Sequence, residues 1–483
     1  MKQSRTSKLL TIAASSWDEQ QAHPSYGLRK AVLSPVEILA QSVALIAPTA
    51  APVMTVPLVF GLAGQGCWLA YLIATVTIVL VAVNINQFAR NSASPGSLYS
   101  YIAAHLHPVV GMLAGWALLI AYTGTAAAVI GGLTNYVNVV LKDVADLHAP
   151  PLVLAALSMA VASWLAYRDV KISARMMLGL ETVSVTLISI VVLATLIHHG
   201  VHLDFSQLTL RGVTPENLRL GLVLAIFSSV GFESATSLGS EAKNPLVSIP
   251  QAVKWSAILA GLFFVFCAYT EVLGFRGESQ TLDRSLAPLQ VLAGKAGLPF
   301  LVGTLIDVGA VLSFFSCILA CTTAAARVLF LMGRHGALHT LLGETHESNH
   351  TPHRAVLLCS IGAFLPAAIL TIRDVGSFEI YGLMGTLATF GFVTAYILVS
   401  AAAPIYLRAH DRLTLPAIGV SVLAVVAMGV ALLGSLYPVP AAPYSSLPYI
   451  YLGLILSGFT WFFILNVRSP QLTAQIRADL GGL

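Results

Sequence analysis

The chain has 483 residues, of which 57% are apolar and only 10% are charged, and its formal net charge is +4. Soluble proteins carry about 25% charged residues, so this composition excludes a soluble globular protein and indicates a chain that crosses a membrane many times. The small positive charge gives no reason to expect nucleic acid binding, because basic residues collect at the inner ends of membrane spans. The five cysteines lie in apolar segments and predict no disulfide framework.

Twelve segments are apolar enough to span a bilayer as helices, which takes about 20 residues each. The predicted spans cover residues 34–60, 66–89, 109–140, 150–167, 172–197, 216–240, 250–274, 299–332, 355–372, 376–403, 413–437 and 447–467. When the N-terminus is placed inside, most of the 25 lysines and arginines fall on the inner side. The positive-inside rule therefore predicts cytoplasmic tails at 1–33 and 468–483 and a location in the cell membrane.

The first span contains Pro48 and Pro52, with Pro57 beyond them. Each proline lacks an amide hydrogen and clashes with the preceding turn, so a regular helix is not expected here. In lipid, freed backbone groups are tolerated only where they line a cavity or are packed by protein. The pattern therefore predicts an unwound segment, with two simple proline kinks as the alternative.

A turn and a short aromatic helix follow the second span. Residues 93–101 read ASPGSLYSY, and Gly115-Trp116 follows at the start of the third span. The Pro-Gly pair predicts a turn, and the tyrosines are typical anchors of an interfacial helix. Tyr122 in the third span could reach a central pocket, although a tyrosine in a helical bundle more often serves packing.

The fifth span begins with the run VKISAR at residues 170–175. Glu181 is the only charge deep in this span. An acid within the membrane needs a partner, and Arg175 or Arg168 near the inner surface would provide one. The sequence therefore offers a structural ion pair with one of these arginines as the explanation for a buried Glu181.

The sixth span contains the most informative stretch, residues 231–250, which read GFESATSLGSEAKNPLVSIP. Glu233 lies well inside the predicted span, where a carboxylate costs a few kcal/mol or more and marks a functional site. Gly231 and Ser228 beside it favour a helix that breaks in the middle of the membrane and turns backbone groups towards a ligand. The alternative is a continuous helix in which Glu233 is protonated and paired.

The eighth span carries Ser313 and Ser316 and ends in the run RVLFLMGRHG at 327–336. The two hydroxyls could coordinate a sodium ion against the unwound first span. Serine is equally common as a hydrogen bonder between membrane helices, so both interpretations stay open.

The segment from His346 to His350 reads HESNH and fits the zinc-protease pattern His-Glu-x-x-His. That chemistry needs both histidines on one face of a stable helix and a third ligand elsewhere. Ser348 and Asn349 are poor helix formers, and the segment lies in a predicted cytoplasmic loop. We therefore predict no metal site and no enzyme activity here.

Together these motifs resemble the amino acid–polyamine–organocation transporter superfamily. The run at 231–250 is the most specific part, and 93–116, 170–175 and 327–336 match further motifs of that superfamily. The resemblance implies an all-α membrane protein with twelve transmembrane helices and a leucine-transporter-type fold. In that fold helices 1–5 and 6–10 are inverted repeats, and helices 1 and 6 are broken.

The resemblance also implies how the chain is divided. The expected parts are the tail 1–33, a transporter core at 34–410 with repeats at about 34–200 and 214–410, helices 11–12 at 411–467, and the tail 468–483. The last two spans carry no charge within the membrane and are expected at the periphery.

A substrate site is implied at the midplane, between the two broken helices. The positions it would use are Thr49, Ala50, Ala51, Pro52, Tyr122, Phe227, Ser228 and Gly231. Members usually read Gly-Ser/Ala-Gly where this chain has Ala50 to Pro52, and their amides receive a substrate carboxylate. Pro52 cannot donate, so one of these contacts is absent. In the arginine/agmatine antiporter branch an aromatic residue at the position of Phe227 covers the substrate.

Glu233 is the residue expected to couple transport to a proton. Several proton-coupled members carry a lysine nine residues after the arginine that corresponds to Arg175, where it replaces a sodium ion. Here that residue is Ser184, so the lysine-dependent mechanism does not carry over. Sodium at Ser313 and Ser316 is the alternative.

The expected function is secondary transport of an amino acid or related amine by alternating access, coupled to protons and without a cofactor. Exchange of two amines without net proton movement is one alternative. A membrane-embedded sensor and a His-Glu-x-x-His metalloenzyme are alternatives from other classes. The expected partners are the small-molecule substrate, a proton or sodium, and the lipid bilayer. The residues leave open the identity of the substrate and whether the protein is a monomer or a homodimer.

Overall fold

The computed structural model describes residues 26–168, 170–200, 203–437 and 439–481. Within these ranges the protein is built from helices, and the one extended pairing is an isolated parallel bridge between Leu33 and Ala242. Most of the predicted tail 1–33 and the last two residues of the tail 468–483 lie outside the described residues.

The helices are numbered here in chain order. They are α1 (Pro35–Ile46), α2 (Val56–Ala63), α3 (Cys67–Ala89), α4 (Ser97–His105), α5 (Pro108–Ala145), α6 (Pro151–Arg168), α7 (Val170–His198), α8 (Phe205–Leu208), α9 (Pro215–Ser229), α10 (Pro245–Gly274), α11 (Pro288–Lys295), α12 (Phe300–Arg334), α13 (His353–Ile372), α14 (Ser377–Ala409), α15 (Leu415–Gly434), α16 (Leu447–Arg468) and α17 (Pro470–Gly481). A π-helical turn lies at Ala51–Thr55, and short 3₁₀ segments lie at Gly64–Gly66, Phe232–Leu238, Leu282–Arg284, Thr340–Gly343 and Tyr444–Ser446.

Eleven helical segments of the described chain are long and apolar enough to cross a membrane. The first of these is 55 residues long, from Pro35 to Ala89, and includes the first two predicted spans. The prediction of an all-α polytopic membrane protein is confirmed. The count of twelve separate spans stays a prediction.

The first span is interrupted where its prolines lie. α1 ends at Ile46, and Ala47 takes a left-handed φ of 48° immediately before Pro48. The chain resumes as a π-helical turn in which the Val56 amide donates to the Ala51 carbonyl. Such turns often occur at functional sites. The predicted unwound segment is present, and its cause is the pair of missing proline amides.

The sixth span is also interrupted. After α9, Val230 is extended with ψ of 162°, and Gly231 has φ of 91°. Residues with a side chain rarely adopt that φ. A Cβ atom on Gly231 would lie only 1.9 Å from Cδ2 of Leu45 in α1. Glycine at position 231 therefore permits both the positive φ at the break and the close approach of the sixth span to the first.

The helices that surround these breaks are the most buried in the protein. α5 is flanked by α12 and α14, and 78% of its most apolar window is buried. For the membrane-crossing segments that contain α15 and α16 the corresponding shares are 28% and 17%. The last two predicted spans therefore lie at the periphery, as expected.

Candidate functional site

The broken segments of the first and sixth spans are joined by hydrogen bonds. Ser42 Oγ donates to the Phe232 carbonyl at 2.6 Å and accepts from the Ala235 amide at 3.2 Å. Ser234 Oγ donates to the Gln41 carbonyl at 3.2 Å. Backbone groups at a helix terminus need such partners when they are buried. The helix that leads into the first-span break and the segment that follows the sixth-span break therefore form one structural unit.

Glu233 lies just past the sixth-span break, and its side chain is fully buried. Its Oε1 accepts a hydrogen bond from the Tyr122 hydroxyl at 2.8 Å, and its Oε2 accepts one from the Tyr396 hydroxyl at 2.5 Å. The Tyr396 hydroxyl also accepts from the Gly231 amide at 3.2 Å. Tyr396 thus bridges the acid and the break.

Sequence reasoning places Tyr122 near the pocket, and the structure brings it onto Glu233. It does not find Tyr396, which follows Glu233 by 163 residues and is one of 15 tyrosines. Both partners of the acid are neutral phenols. Glu233 can therefore gain or lose a proton without breaking an ion pair, which is the chemistry that a coupling residue needs.

Phe227 belongs to a set of four buried aromatic residues, Tyr136, Phe227, Phe314 and Tyr381, which we call the aromatic layer. The ring centroids are 5.6 Å apart for Phe227 and Tyr381, 6.0 Å for Tyr381 and Phe314, and 6.0 Å for Phe314 and Tyr136. The Tyr381 hydroxyl lies 2.8 Å from the Thr55 hydroxyl, and the layer is thereby held against the π-helical turn. The layer closes the α2 side of the breaks.

The remaining predicted binding positions lie in two places. Ala50, Ala51 and Pro52 are buried at the first-span break. Ser228 lies beside the sixth-span break, but its hydroxyl is 3.0 Å from the Tyr71 hydroxyl of α3. The first-span positions are therefore buried in the protein, while the Ser228 side chain has a partner in a neighbouring helix.

Glu181 connects α7 to the first and eighth spans. The side chain is 1% exposed. Its Oε1 accepts from Ser313 Oγ at 2.6 Å, and its Oε2 accepts from Thr49 Oγ1 at 3.4 Å. Two hydroxyls that sequence reasoning assigns to a sodium ion and to the substrate thus converge on a buried acid.

The expected pairing of Glu181 with Arg175 or Arg168 is wrong. Arg175 instead pairs with Glu37 at 2.8 Å, at the start of α1. Arg168 lies over the ring of Trp164, 4.6 Å from its centroid. Hydropathy predicts how deep a residue lies along a span but not which neighbouring helix it faces.

Two further hydroxyls lie near Glu181 in sequence or in space. Ser184, at the place of the missing lysine, donates to the Gly309 carbonyl at 2.8 Å. The buried Ser316 Oγ has no hydrogen-bond partner among the described residues. Of the two serines suggested for sodium, Ser313 is therefore the one bonded to Glu181.

A buried ion pair closes the other side of the breaks. Arg327 Nε and Nη2 donate to the two oxygens of Glu241 at 2.6 and 3.0 Å, and their side chains are 3% and 1% exposed. The Glu241 carbonyl also accepts from the amides of Val32 and Leu33. Breaking such a pair costs about 3–5 kcal/mol. Both residues belong to the quoted motifs, but sequence reasoning gives neither a role.

The His-Glu-x-x-His segment lies in a loop and a turn, as predicted. His346 Nε2 is 2.8 Å from the Tyr167 hydroxyl, and its Nδ1 accepts from the Ser348 amide at 3.3 Å. Both ring nitrogens therefore have protein partners. Across the described ranges, no group of three or more His, Cys, Asp or Glu side chains could hold a metal ion.

The chain resembles several known proteins along most of its length. The model of the amino acid permease family matches residues 37–466. The branched-chain amino acid permease BcaP of Bacillus subtilis is 24% identical over 361 residues, which is 70% of this chain and 73% of that protein. The low-affinity putrescine importer PlaP of Escherichia coli is 25% identical over 312 residues, which is 62% of this chain and 66% of that protein.

Two further comparisons concern substrate and fold. The methylthioribose transporter of Bacillus subtilis is 25% identical over 353 residues, 70% of this chain and 74% of that protein. A solved structure of a Na+-coupled sialic acid symporter in its substrate-bound outward-open state has a TM-score of 0.54 at 13% identity, and the match covers 86% of this chain and 92% of that one. At this identity the likeness shows a shared fold and no more.

Proposed function

Because the chain belongs to the amino acid permease family, we propose that it carries an amino acid or a related amine across the cell membrane by secondary transport. Its relatives are transporters and not enzymes, and the same holds for this chain. Their named substrates differ, so they support the class of activity and not one compound.

The proposed architecture has twelve membrane-spanning helices. A single helix of 55 residues would be about 80 Å long at about 1.5 Å per residue, much longer than the hydrocarbon core of a bilayer. The segment from Pro35 to Ala89 must therefore cross twice, and Gly64, with φ of 53°, marks the turn. Ten helices form two inverted repeats at about 34–200 and 214–410, and both termini are cytoplasmic.

The observation that carries the proposal is that the helix leading into the first-span break is hydrogen-bonded to the segment that follows the sixth-span break. Buried backbone that leaves the helix in mid-membrane must line a cavity or pack against protein, and substrate sites of inverted-repeat transporters lie at such breaks. In this chain the break residues Ala50 and Gly231 are packed within protein, and Glu233 follows Gly231 by two residues. The substrate is proposed to bind between these segments.

Alternating access requires a barrier on each side of that site. The aromatic layer is the proposed outer barrier, and the Glu241–Arg327 pair is the proposed inner one. Only one of them opens at a time, and the two broken segments move with them. Phe227 serves as the lid that contacts the substrate.

Glu233 is the proposed proton carrier. Its tyrosine partners stay neutral, so a change in its protonation alters the charge beside the break directly. No lysine or arginine replaces it, because Ser184 occupies the position of the coupling lysine in other members. Glu233 would take up a proton when the site faces outward and lose it when the site faces inward. This cycle would drive net uptake of the substrate.

The experiment that tests this function is uptake into proteoliposomes. A panel of radiolabelled amino acids and amines is offered to vesicles containing the purified protein, with and without an inwardly directed proton gradient. We expect uptake of at least one compound that the gradient increases. Uptake that depends only on a preloaded amine would indicate the exchanger, and no uptake of any compound would contradict the proposal.

A sodium-coupled mechanism is the second candidate. Its specific support is the unpartnered hydroxyl of Ser316 beside Ser313 and the acid Glu181. In the same vesicles, a sodium gradient would then replace the proton gradient as the driving force. Ser316→Ala would abolish that dependence.

A further inference from the structure

Three basic side chains on the proposed cytoplasmic side have no acidic partner. Arg90 follows the last residue of α3, Lys254 lies in the third turn of α10, and Arg412 lies between α14 and α15. All three are exposed. None of them forms an ion pair with an acid of the described ranges, and neither does Asp411 beside Arg412. The proposed transport mechanism uses none of the three, so their charges are available to an anion.

Arg90 and Arg412 line a cavity of about 300 Å³, which we call the polar cavity. Gln87, Asn91 and Thr414 add amide and hydroxyl groups to its lining, and the rest of the lining comes from α14 and α15. The planar guanidinium of arginine presents a fork of N–H donors that matches the oxygens of a phosphate. The lining of the polar cavity therefore fits a phosphate group.

A second cavity, of about 200 Å³, lies between α3 and α10, and we call it the apolar groove. Lys254 lines it from α10, and on α3 its lining includes Val79, Val83, Gln87 and Arg90, which share one helix face. The segment 79–90 is about 16 Å long at about 1.5 Å per residue, which is close to half of the ~30 Å hydrocarbon core of a bilayer. Gln87 and Arg90 also line the polar cavity, so the two cavities meet at the end of α3.

The helices that form these walls are joined by hydrogen bonds. Asn86 Nδ2 donates to the Pro250 carbonyl at 3.2 Å, which joins α3 to α10. Ser421 Oγ donates to Asn84 Oδ1 at 2.8 Å, which joins α15 to α3. Both bonds lie within two helical turns of Arg90 along α3. Contacts between helices therefore fix the walls on either side of α3.

Trp255 indicates the depth of the site in the membrane. Its side chain is 48% exposed, and the Nζ atom of the preceding Lys254 lies 5.0 Å from its ring centroid. Tryptophan is enriched at the membrane–water interface, at the level of the lipid headgroups. Lys254 and Arg90 line the same groove, so the basic end of the groove lies near the lipid phosphates and its apolar part lies beside the acyl chains.

We propose that the polar cavity and the apolar groove form a binding site for one anionic phospholipid of the cytoplasmic leaflet. The phosphate lies at Arg90, between Lys254 and Arg412, and one acyl chain lies in the apolar groove. Basic pockets between helices on this side of a membrane bind anionic headgroups. A free phosphate would leave the apolar groove empty, whereas a lipid fits both parts. The site goes beyond the proposed transport and does not depend on which substrate is carried.

Lipid binding is measured on the purified protein after delipidation in detergent. Phosphatidylglycerol or phosphatidylcholine with the same acyl chains is titrated in, and native mass spectrometry counts the bound lipids. One phosphatidylglycerol should bind about tenfold or more tightly than phosphatidylcholine, since two arginines face its phosphate. Arg90→Gln and Arg412→Gln should each weaken this binding by about fivefold, which is the contribution of one basic residue beside anionic lipid.

Arg468→Gln is the matched control for the two arginine variants. Arg468 is an exposed arginine in the last turn of α16, on the same proposed side, and it lines neither cavity. It should bind phosphatidylglycerol as the wild type does. An equal loss of binding in Arg468→Gln would show a general attraction of lipid to basic residues and would overturn the site.

The apolar groove is tested without a change of charge. Val83→Trp fills the groove and should weaken phosphatidylglycerol binding by about tenfold, which is the contribution of about two buried methylene groups. Val76→Trp is its control, because Val76 is an exposed residue of α3 two turns earlier and lies outside the groove. Glycerol 3-phosphate should not compete with the lipid. Full competition by it, or equal binding in the two variants, would indicate a phosphate site and overturn the lipid.

The melting temperature separates loss of the site from misfolding. The substituted side chains are all exposed, so every variant should melt as the wild type does before lipid is added. Arg90→Lys keeps the charge and should bind phosphatidylglycerol more tightly than Arg90→Gln. A wild type that does not distinguish the two lipids, or that binds no more tightly than Arg90→Gln and Arg412→Gln, would overturn the proposal.

Discussion

Replacement of Tyr396 by phenylalanine removes two hydrogen bonds at the centre of the site. The hydroxyl donates to Glu233 at 2.5 Å and accepts from the Gly231 amide at 3.2 Å. A hydrogen bond to a charged group contributes about 1.5–3 kcal/mol, and a buried amide left without a partner costs a further ~1–3 kcal/mol. Tyr396→Phe should therefore destabilise the folded protein by about 2.5–6 kcal/mol when Glu233 is ionised.

The neighbouring tyrosines provide graded comparisons. Tyr122 donates to Glu233 at 2.8 Å, so loss of this bond in Tyr122→Phe should cost about 1.5–3 kcal/mol. Tyr451 donates to the neutral Thr394 hydroxyl at 2.6 Å, and Tyr451→Phe should cost about 0.5–1.5 kcal/mol. Thermal unfolding in detergent and uptake into proteoliposomes are measured for all three variants.

The expected order of destabilisation is Tyr396→Phe, then Tyr122→Phe, then Tyr451→Phe, and the first two should also slow uptake. Tyr396→Phe could instead behave like Tyr451→Phe in both assays. The hydrogen bonds of Tyr396 to Glu233 and Gly231 would then be unimportant for transport. The interpretation of Glu233 as a residue held by neutral donors would then be refuted.

Three other predictions concern the lid, the buried His335 that follows α12, and the topology. Phe227→Leu should raise the KM for substrate by about tenfold if the ring covers the substrate. The control Phe462→Leu, in the peripheral α16, should leave the KM unchanged. Equal KM values in the two variants would remove Phe227 from the site. Burial lowers the pKa of His335 to about 4, so the unfolded state takes up the proton first as the pH falls below 6.5, and stability is lost towards pH 4. The melting temperature should therefore fall between pH 7 and pH 5, and it should fall less in His335→Asn; an equal fall in both would contradict this. Single cysteines in 276–295 should react with an impermeant maleimide from outside the cell and those in 335–353 should not, and the reverse pattern would exclude the proposed topology.

The sequence predicts the backbone of the site better than its side-chain partners. Pro48 and Pro52 interrupt a helix for reasons that are local to the chain, and so does Gly231. The burial of Glu233 also follows from its place within an apolar segment. All of these are properties of one span at a time, which hydropathy and residue chemistry determine.

The partners depend on how distant spans pack. Tyr396 meets Glu233 because α14 packs against α9, which leads into the sixth-span break, and no pattern within the tenth span indicates that contact. Glu181 faces the first and eighth spans instead of Arg175 in its own span or Arg168 at the end of α6. Glu181 lies one helical turn before Ser184, which occupies the position of the coupling lysine in other members. The two residues therefore share a helix face.

Two buried acids that the proposed mechanism does not use show the same limit. Glu271 and Asp307 lie near the ends of predicted spans, where a charge is normally solvated or paired. Only the packed structure reveals that they are buried and without partners. Burial and hydrogen-bond satisfaction are tertiary properties, so no single-span reading of the sequence identifies these residues.

The most direct test of proton coupling is the pH dependence of uptake in Glu233→Gln. Glutamine keeps the size of the side chain and its hydrogen bonding but cannot ionise. We expect the variant to bind and exchange substrate while its uptake no longer responds to pH or to a proton gradient. Wild-type uptake with an unchanged pH profile would show that Glu233 is structural and would contradict the proposed mechanism.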